Sequence, residues 1–130
     1  MDTKIPTEKY RDKSLWGSFR RARYVFIKEQ ISISPQNRNL LDVGAGPSPF
    51  RDLYAGFKKT AIDFAPYEGI DIIHDLEEKL PFENDSYDVV LNTDTLEHMY
   101  KPKELIKECY RVTKKGGILI GTTPFQLCVH

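Results

Sequence analysis

Apolar positions change their period several times along the chain. Leu15, Phe19, Ala22 and Phe26 recur at steps of four, three and four, the spacing of one helix face. This predicts a leading helix over 14–33, with Ser14 as its N-cap and the Ser-Pro-Gln-Asn stretch from Ser34 as the break that ends it. Leu40-Leu41-Asp42-Val43 is a short apolar run that stops at glycines, as a buried strand does. Thr60-Ala61-Ile62-Asp63 predicts a second strand, residues 70–74 a third and residues 87–92 a fourth. Asp88-Val89-Val90-Leu91 is nearly continuous apolar sequence, as in a strand covered on both faces. Between the first two strands, residues 47–57 can hold a helix. Another helix is predicted over 102–113, with Pro102 near its first turn and Gly116 just past its end. Leu105, Ile106, Cys109 and Val112 would form its apolar side. Residues 117–122 read as a fifth strand. Alternating strands and helices predict an α/β fold with a doubly wound, mostly parallel sheet. The polar stretch 1–13, with one proline, reads as a flexible arm ahead of a single domain over 14–130.

Composition adds bounds. A chain of 130 residues fits one domain, and 40% hydrophobic with 29% charged side chains is ordinary for a globular one. No apolar run approaches the roughly 20 residues of a membrane helix. The N-terminus is polar and has no apolar signal-peptide region. The 19 basic and 19 acidic side chains balance, which argues against a protein that coats nucleic acid. Arg20, Arg21 and Arg23 form a local cluster that could touch phosphate; the plainer reading is a solvated helix face. Cys109 and Cys128 lack CxxC spacing and have no His or carboxylate at ligand spacing, so no metal site is expected. Cys109 falls on the buried side of its helix, where a thiol behaves as a small hydrophobe. A reducing, cytoplasmic setting is expected.

The chemistry begins where the first strand ends. Gly44 and Gly46 let the backbone turn sharply and let a ligand approach main-chain atoms. A helix after them would point its N–H groups at the same crevice. Asp63 ends the second strand 21 positions after Asp42. An acid at about that distance holds ribose hydroxyls in dinucleotide-binding folds, because a carboxylate accepts from both of them. The nicotinamide fingerprint G-x-G-x-x-G/A fails, however, because Pro49 stands at the third glycine and offers no N–H to a phosphate. Asp42, directly ahead of the turn, suits a cationic ammonium better than a pyrophosphate. S-adenosylmethionine (SAM) carries an ammonium and a sulfonium and has no phosphate.

Several motifs, in order, resemble a known family. Leu40-Leu41-Asp42-Val43-Gly44-Ala45-Gly46 resembles the first motif of class I, Rossmann-like SAM-dependent methyltransferases. His74-Asp75-Leu76-Glu77-Glu78, Leu80-Pro81-Phe82 and Ser86-Tyr87-Asp88-Val89-Val90 resemble the third-to-fourth-strand stretch of the subgroup called type 11. Leu96-Glu97-His98, Leu105, the Glu108 to Val112 helix and Gly116-Gly117 complete the pattern. The resemblance implies that Gly44 and Gly46 lie under the methionine and ribose of SAM. It implies that Asp42 helps anchor the ammonium, that Asp63 holds the ribose, and that Phe64 lies beside the adenine. Asp75 would accept from the adenine amino group, the Leu76 backbone would meet the ring edge, and the backbone at Asn92 would contact the methionine portion. His98 becomes a candidate catalytic base. The alternative readings are Asp75 as a turn cap, Phe64 and Tyr67 as core or lid aromatics, and His98 as a satisfied histidine with Glu97 structural. One departure is Ser48, flanked by Pro47 and Pro49, where the family usually has a third glycine.

The resemblance also implies a seven-stranded sheet ordered 3-2-1-4-5-7-6, so this chain reads as truncated after the fifth strand. Ile118-Leu119-Ile120 would then be an apolar edge, which proteins seldom leave uncovered. A homodimer, a partner chain pairing on that edge, or a fragment of a longer enzyme would each account for it. The tail from Thr123 to His130 resembles the segment leading to substrate loops in sugar- and polysaccharide-pathway members. The implied activity is methyl transfer to a small-molecule or glycan acceptor. The alternative is a non-catalytic SAM-binding or scaffold subunit. In-line transfer from SAM needs mainly positioning, and a base only where the acceptor must lose a proton.

Overall fold

The computed structural model describes residues 3–34 and 38–123. Its strands are β1 (Asn39–Val43), β2 (Lys58–Asp63), β3 (Ile72–Ile73), β4 (Tyr87–Thr93) and β5 (Thr113–Thr122). They form one sheet in the order β3-β2-β1-β4-β5. Every pairing is parallel, so the expected α/β architecture is present. β1 lies at the centre, with Asp42 opposite Ala61 on one side and Leu91 on the other. Its side chains alternate between two cores, as strand geometry requires. Leu41 and Val43 join Ile62 and Val90 on one face, and Leu40 joins Val89 and Leu91 on the other.

Helix α3 (Pro102–Val112) covers the first face with Leu105, Cys109 and Val112, as its periodicity predicts, while Ile106 turns outward. Burying each aliphatic side chain there is worth roughly 1.5–3 kcal/mol. Arg111 staples this helix to the preceding loop, donating to Phe82 O at 2.8 Å and Leu80 O at 3.1 Å while pairing with Glu108.

The second face corrects the sequence reading. A four-residue helix α1 (Glu8–Arg11) and a 3₁₀ turn (Lys13–Leu15) precede helix α2 (Ser18–Ser32). α2 begins after Gly17, and Ser14 lies in the 3₁₀ turn, where its N–H donates to Asp12 Oδ1 at 3.0 Å. Leu15, Phe19, Ala22 and Phe26 all face outward, Phe19 with 74% exposure; Ile27 and Ile31 face the sheet. The reason is that α2 carries two apolar stripes, and the second (Tyr24, Ile27, Ile31) has helical spacing too. Trp16 decides between them by packing on Tyr24 at 5.3 Å and Phe50 at 5.4 Å.

Three further expectations change. Residues 47–57 form turns and a short 3₁₀ helix (Arg51–Tyr54) instead of an α-helix. Pro47 and Pro49 lack N–H groups and Ser48 sits at φ +48°, so an i→i−4 ladder cannot propagate. β3 spans two residues, not five. β5 starts at Thr113 directly after α3 and bulges, its register slipping between Tyr87↔Thr113 and Val89↔Ile118, with Gly116 at φ +81°.

The stretch expected to be a loose arm is held over residues 5–7. Ile5 bridges Tyr67, its N–H donates to Pro66 O at 2.8 Å, and its carbonyl accepts from Glu68 N at 2.9 Å. Thr7 is fully buried and accepts from Arg51 Nη2 at 2.9 Å. Among the described residues no helix is long and apolar enough to cross a membrane. Cys128 and the rest of the tail from residue 124 lie outside the described residues, as do residues 35–37.

Candidate functional site

The turn after β1 is pinned to β2: the N–H groups of Gly44 and Ala45 donate to Ile62 O at 2.8 and 3.2 Å. Gly44 stands at φ +70°, and a Cβ there would run into the Thr95 side chain. Gly46 stands at φ +52° with open space where its Cβ would be. One glycine is thus demanded by packing as well as by backbone, and the other leaves room for a ligand.

That room belongs to a cleft of about 840 Å³ at the C-terminal ends of β1 to β4, the place where doubly wound sheets bind ligands. Gly44, Gly46, Asp63, Phe64, Asp75, Leu76 and His98 all line it. Asp63 is nearly buried; its Oδ2 accepts from Ala65 N at 3.0 Å. Burial raises its pKa, and the backbone N–H groups of Ala65 and Gly46 oppose that rise. Phe64 is largely exposed, lying open on the wall. Asp75 caps a turn, its Oδ1 accepting from Glu77 N at 2.9 Å, and also lines the cleft. His98 stands in a 3₁₀ turn (Leu96–His98) with its side chain 78% exposed, Nε2 lying 3.5 Å from Glu97 Oε1.

Asp42 and Asn92 are not among the lining residues. Asn92 is buried and its side-chain amide donates to Val43 O at 3.2 Å, tying β4 to the glycine turn. Asp42 is buried beneath that turn, its Oδ1 lacking a protein hydrogen-bond partner. Burial pushes its pKa up to about 7, with nearby Asp63 adding to the rise and Lys59 and the Ser48 hydroxyl opposing it. The helix N-terminus expected to face the crevice is absent, because the following segment is a proline-flanked turn.

Sequence reasoning missed part of the wall. Thr93, Asp94 and Thr95 line it where β4 ends, and Met99 and Tyr100 line it beyond. Residues just past the C-terminal end of a central strand are the signal that could have found the first three. Thr95 Oγ1 donates to Thr93 O at 3.1 Å. Asp94, at φ +55°, forms an ion pair with Arg23 (Nε to Oδ2, 2.7 Å) and accepts a hydrogen bond from Thr122 Oγ1 at 3.1 Å, so it joins α2 to the end of β5. Arg20 also reaches the cleft from α2.

Comparison with known proteins agrees with this fold. A family described as a methyltransferase domain matches residues 41–121. A probable S-adenosylmethionine-dependent methyltransferase of Mycolicibacterium smegmatis is 28% identical over 127 residues, which cover 89% of this chain and 48% of that protein. Among solved structures, a Methanococcus maripaludis protein provisionally assigned as an S-adenosyl-L-methionine-dependent methyltransferase has a TM-score of 0.64 at 19% identity, over 93% of this chain and 66% of that one. The [4+2]-cyclase SpnF has a TM-score of 0.60 at 22% identity, over 80% of this chain and 46% of that one. The chain spans about half the length of the curated relatives it matches.

Proposed function

The chain belongs to the methyltransferase-domain family, and from that premise we propose that its cleft binds SAM for methyl transfer to a small-molecule or glycan acceptor. The observation that carries this reading is the convergence of Gly46, Asp63 and Asp75, from three strand ends, on one cleft. The residues fit the group. Gly46 leaves the space a Cβ would fill, and Asp63 presents a carboxylate at the cleft wall where ribose hydroxyls would donate. Asp75 and the Leu76 backbone would take the adenine edge, with Phe64 against its face.

Bound SAM supplies an electrophilic methyl group on a sulfonium. The chain's own part is to orient and to exclude water, which is where most of the acceleration in such a displacement arises. Asn92 acts by holding the turn through Val43, and Asp42 acts from beneath it. Asp42 favours a cationic ligand above by charge, and does so more strongly once ionised. His98, exposed at the mouth beside Glu97, would accept a proton from the acceptor where one must leave. The second reading is a non-catalytic SAM-binding or scaffold subunit, since one fold hosts unrelated chemistries. Among the described residues β5 pairs on one side only and exposes Leu119, an edge that a second copy, a partner chain or further strands of a longer enzyme would cover.

Calorimetric titration with SAM and S-adenosylhomocysteine tests the site, with Asp63→Ala as control and NAD as counter-ligand. Micromolar binding abolished by the substitution supports the reading. Folded protein that binds neither nucleoside would sink it.

A further inference from the structure

The arginine cluster of α2, which in sequence looks like one solvated face, has three different fates. Arg21 donates to the backbone carbonyls of Lys13 at 2.6 Å and Trp16 at 3.2 Å. Arg23 holds Asp94. Arg20 is half-buried, lines the cleft, and has no ion pair or side-chain hydrogen bond among the described residues. Every acid lining the same cleft has a protein donor. Asp63 takes Ala65 N, Asp75 takes Glu77 N, Glu77 takes Tyr100 N at 3.0 Å, and Asp94 takes Thr122 Oγ1 and is ion-paired with Arg23.

The glycine turn has no donor to spare either. The N–H groups of Gly44 and Ala45 go to Ile62 and that of Ser48 to Ala45 O, that of Gly46 lies close enough to Asp63 to favour its charged form, and Pro47 and Pro49 have none. Arg20 is the one lysine or arginine among the described residues that line the cleft, so it is the fixed positive charge that an anionic group entering there meets. A guanidinium presents a planar fork that matches a carboxylate through two parallel bonds, and partial burial strengthens the pairing.

We propose that Arg20 is the receptor for a carboxylate of the bound ligand. The carboxylate has two possible sources: the amino-acid end of SAM, or an acid on the methyl acceptor. The first rests on the SAM reading above; the second needs only the cleft.

The test compares S-adenosylhomocysteine with 5′-methylthioadenosine, which keeps the adenosine thioether and lacks the amino-acid end. Both are titrated into the 130-residue chain and its Arg20→Ala and Arg20→Lys variants, with thermal melting as the check on folding. In parallel, the side-chain Nε–H resonance of Arg20, assigned by its loss in Arg20→Lys, is followed as acetate is added at constant ionic strength. This is done for the free protein and for the S-adenosylhomocysteine complex. A cofactor carboxylate predicts that Arg20→Ala weakens S-adenosylhomocysteine about ten- to a hundredfold, as loss of a charge-assisted bond should, and leaves methylthioadenosine unchanged. Acetate then moves the resonance only in the free protein. An acceptor carboxylate predicts equal S-adenosylhomocysteine affinity in all three proteins and a saturable acetate shift in the complex as well. Equal weakening of both nucleosides overturns the proposal in favour of a structural role. So does an unaltered affinity together with a resonance that acetate never moves. If the folded wild type binds neither nucleoside, the SAM reading fails by itself, and the acetate titration of the free protein still decides the role of Arg20.

Discussion

The two faces of the one sheet are built to different standards. The α3 face is wholly apolar at its centre, where Leu41, Val43, Ile62 and Val90 lie under Leu105, Cys109 and Val112, and its polar contacts stay at the rim around Arg111. The α2 face packs Trp16, Phe50 and Tyr54 with Ile27 and Ile31. Alternation along β1 puts Asp42 on this side too. Burial and the Asp42 charge together raise the Tyr54 pKa well above its ordinary value, burial contributing more. Ser48, at positive φ, adds a buried hydroxyl without a partner. One face is a core. The other gives up part of its core to hold a turn, and strained backbone and unpaired polar atoms of this kind gather where ligands bind.

The largest effect that sharpens this contrast is on helix orientation. Ile27→Ala and Leu105→Ala should each destabilise by about 2–5 kcal/mol, since both side chains are fully buried. Phe19→Ser and Phe26→Ser should fall within about 0.5 kcal/mol of the parent, as outward positions do. Urea denaturation measures all four. A Phe19 substitution as damaging as Ile27→Ala would mean that α2 presents its other stripe to the sheet.

The same contrast explains what could be read from the sequence. On the α3 side the apolar stripe was unique, so Leu105, Cys109 and Val112 fell into place, and continuous runs such as Val89-Val90-Leu91 announced buried strands. On the α2 side the helix offered two stripes, and the packing of Trp16 on Tyr24 and on the distant Phe50 chose between them. The glycine turn and Asp63 were legible because chain order brings strand, glycines and terminal acid together. Thr95 and Arg20 were not, because Thr95 matters through its packing against Gly44, 51 positions away, and Arg20 through a tertiary approach that no spacing encodes. Asp42 stands out in the sequence as the acid ahead of the glycines, but its burial beneath the turn follows from the packing of the α2 face.

The glycines come next in size. Gly44→Ala should lose about 2–4 kcal/mol, combining positive-φ strain with a collision against Thr95. Gly46→Ala should lose only about 1–2 kcal/mol, because its Cβ enters open space. That same Cβ occupies ligand room, so S-adenosylhomocysteine affinity should fall more than tenfold in a protein that still folds. Equal losses of stability for the two variants would show that both positions are packing constraints and that the turn is not shaped for a ligand.

The faces should also titrate in opposite directions. Burial raises Asp42 from 3.8 to about 7, so the folded state holds a proton that the unfolded state has lost. Its contribution to stability is complete below about pH 4 and disappears as pH rises through 7. Glu108 on the α3 rim is lowered from 4.5, first by its hydrogen bond to Arg111, so its contribution is present above that value and lost as pH falls further. Melting temperatures between pH 4 and 8 should therefore decline more steeply in the parent than in Asp42→Asn. Asp63 is raised as well, so some slope should remain in the variant. Glu108→Gln should leave that decline unchanged and alter only the acid limb. An Asp42→Asn profile parallel to the parent would mean that Asp42 ionises normally and has access to water.

The smallest expected effect lies at the position where this chain departs from the family pattern. Ser48 occupies the left-handed region at φ +48° between two prolines, a conformation that glycine adopts without a Cβ penalty. Ser48→Gly removes that strain, and it also gives the unfolded chain more freedom, which offsets part of the gain. The net should be a stabilisation of about 0.5–1 kcal/mol, or roughly 2–6 °C in melting temperature for a domain of this size. The hydroxyl lies close enough to Asp42 to favour its charged form. Removing it should therefore steepen the decline of stability between pH 4 and 7. A variant that melts lower than the parent at pH 8 and no lower at pH 4 would show that the hydroxyl contributes more to holding the ionised Asp42 than the backbone loses in strain.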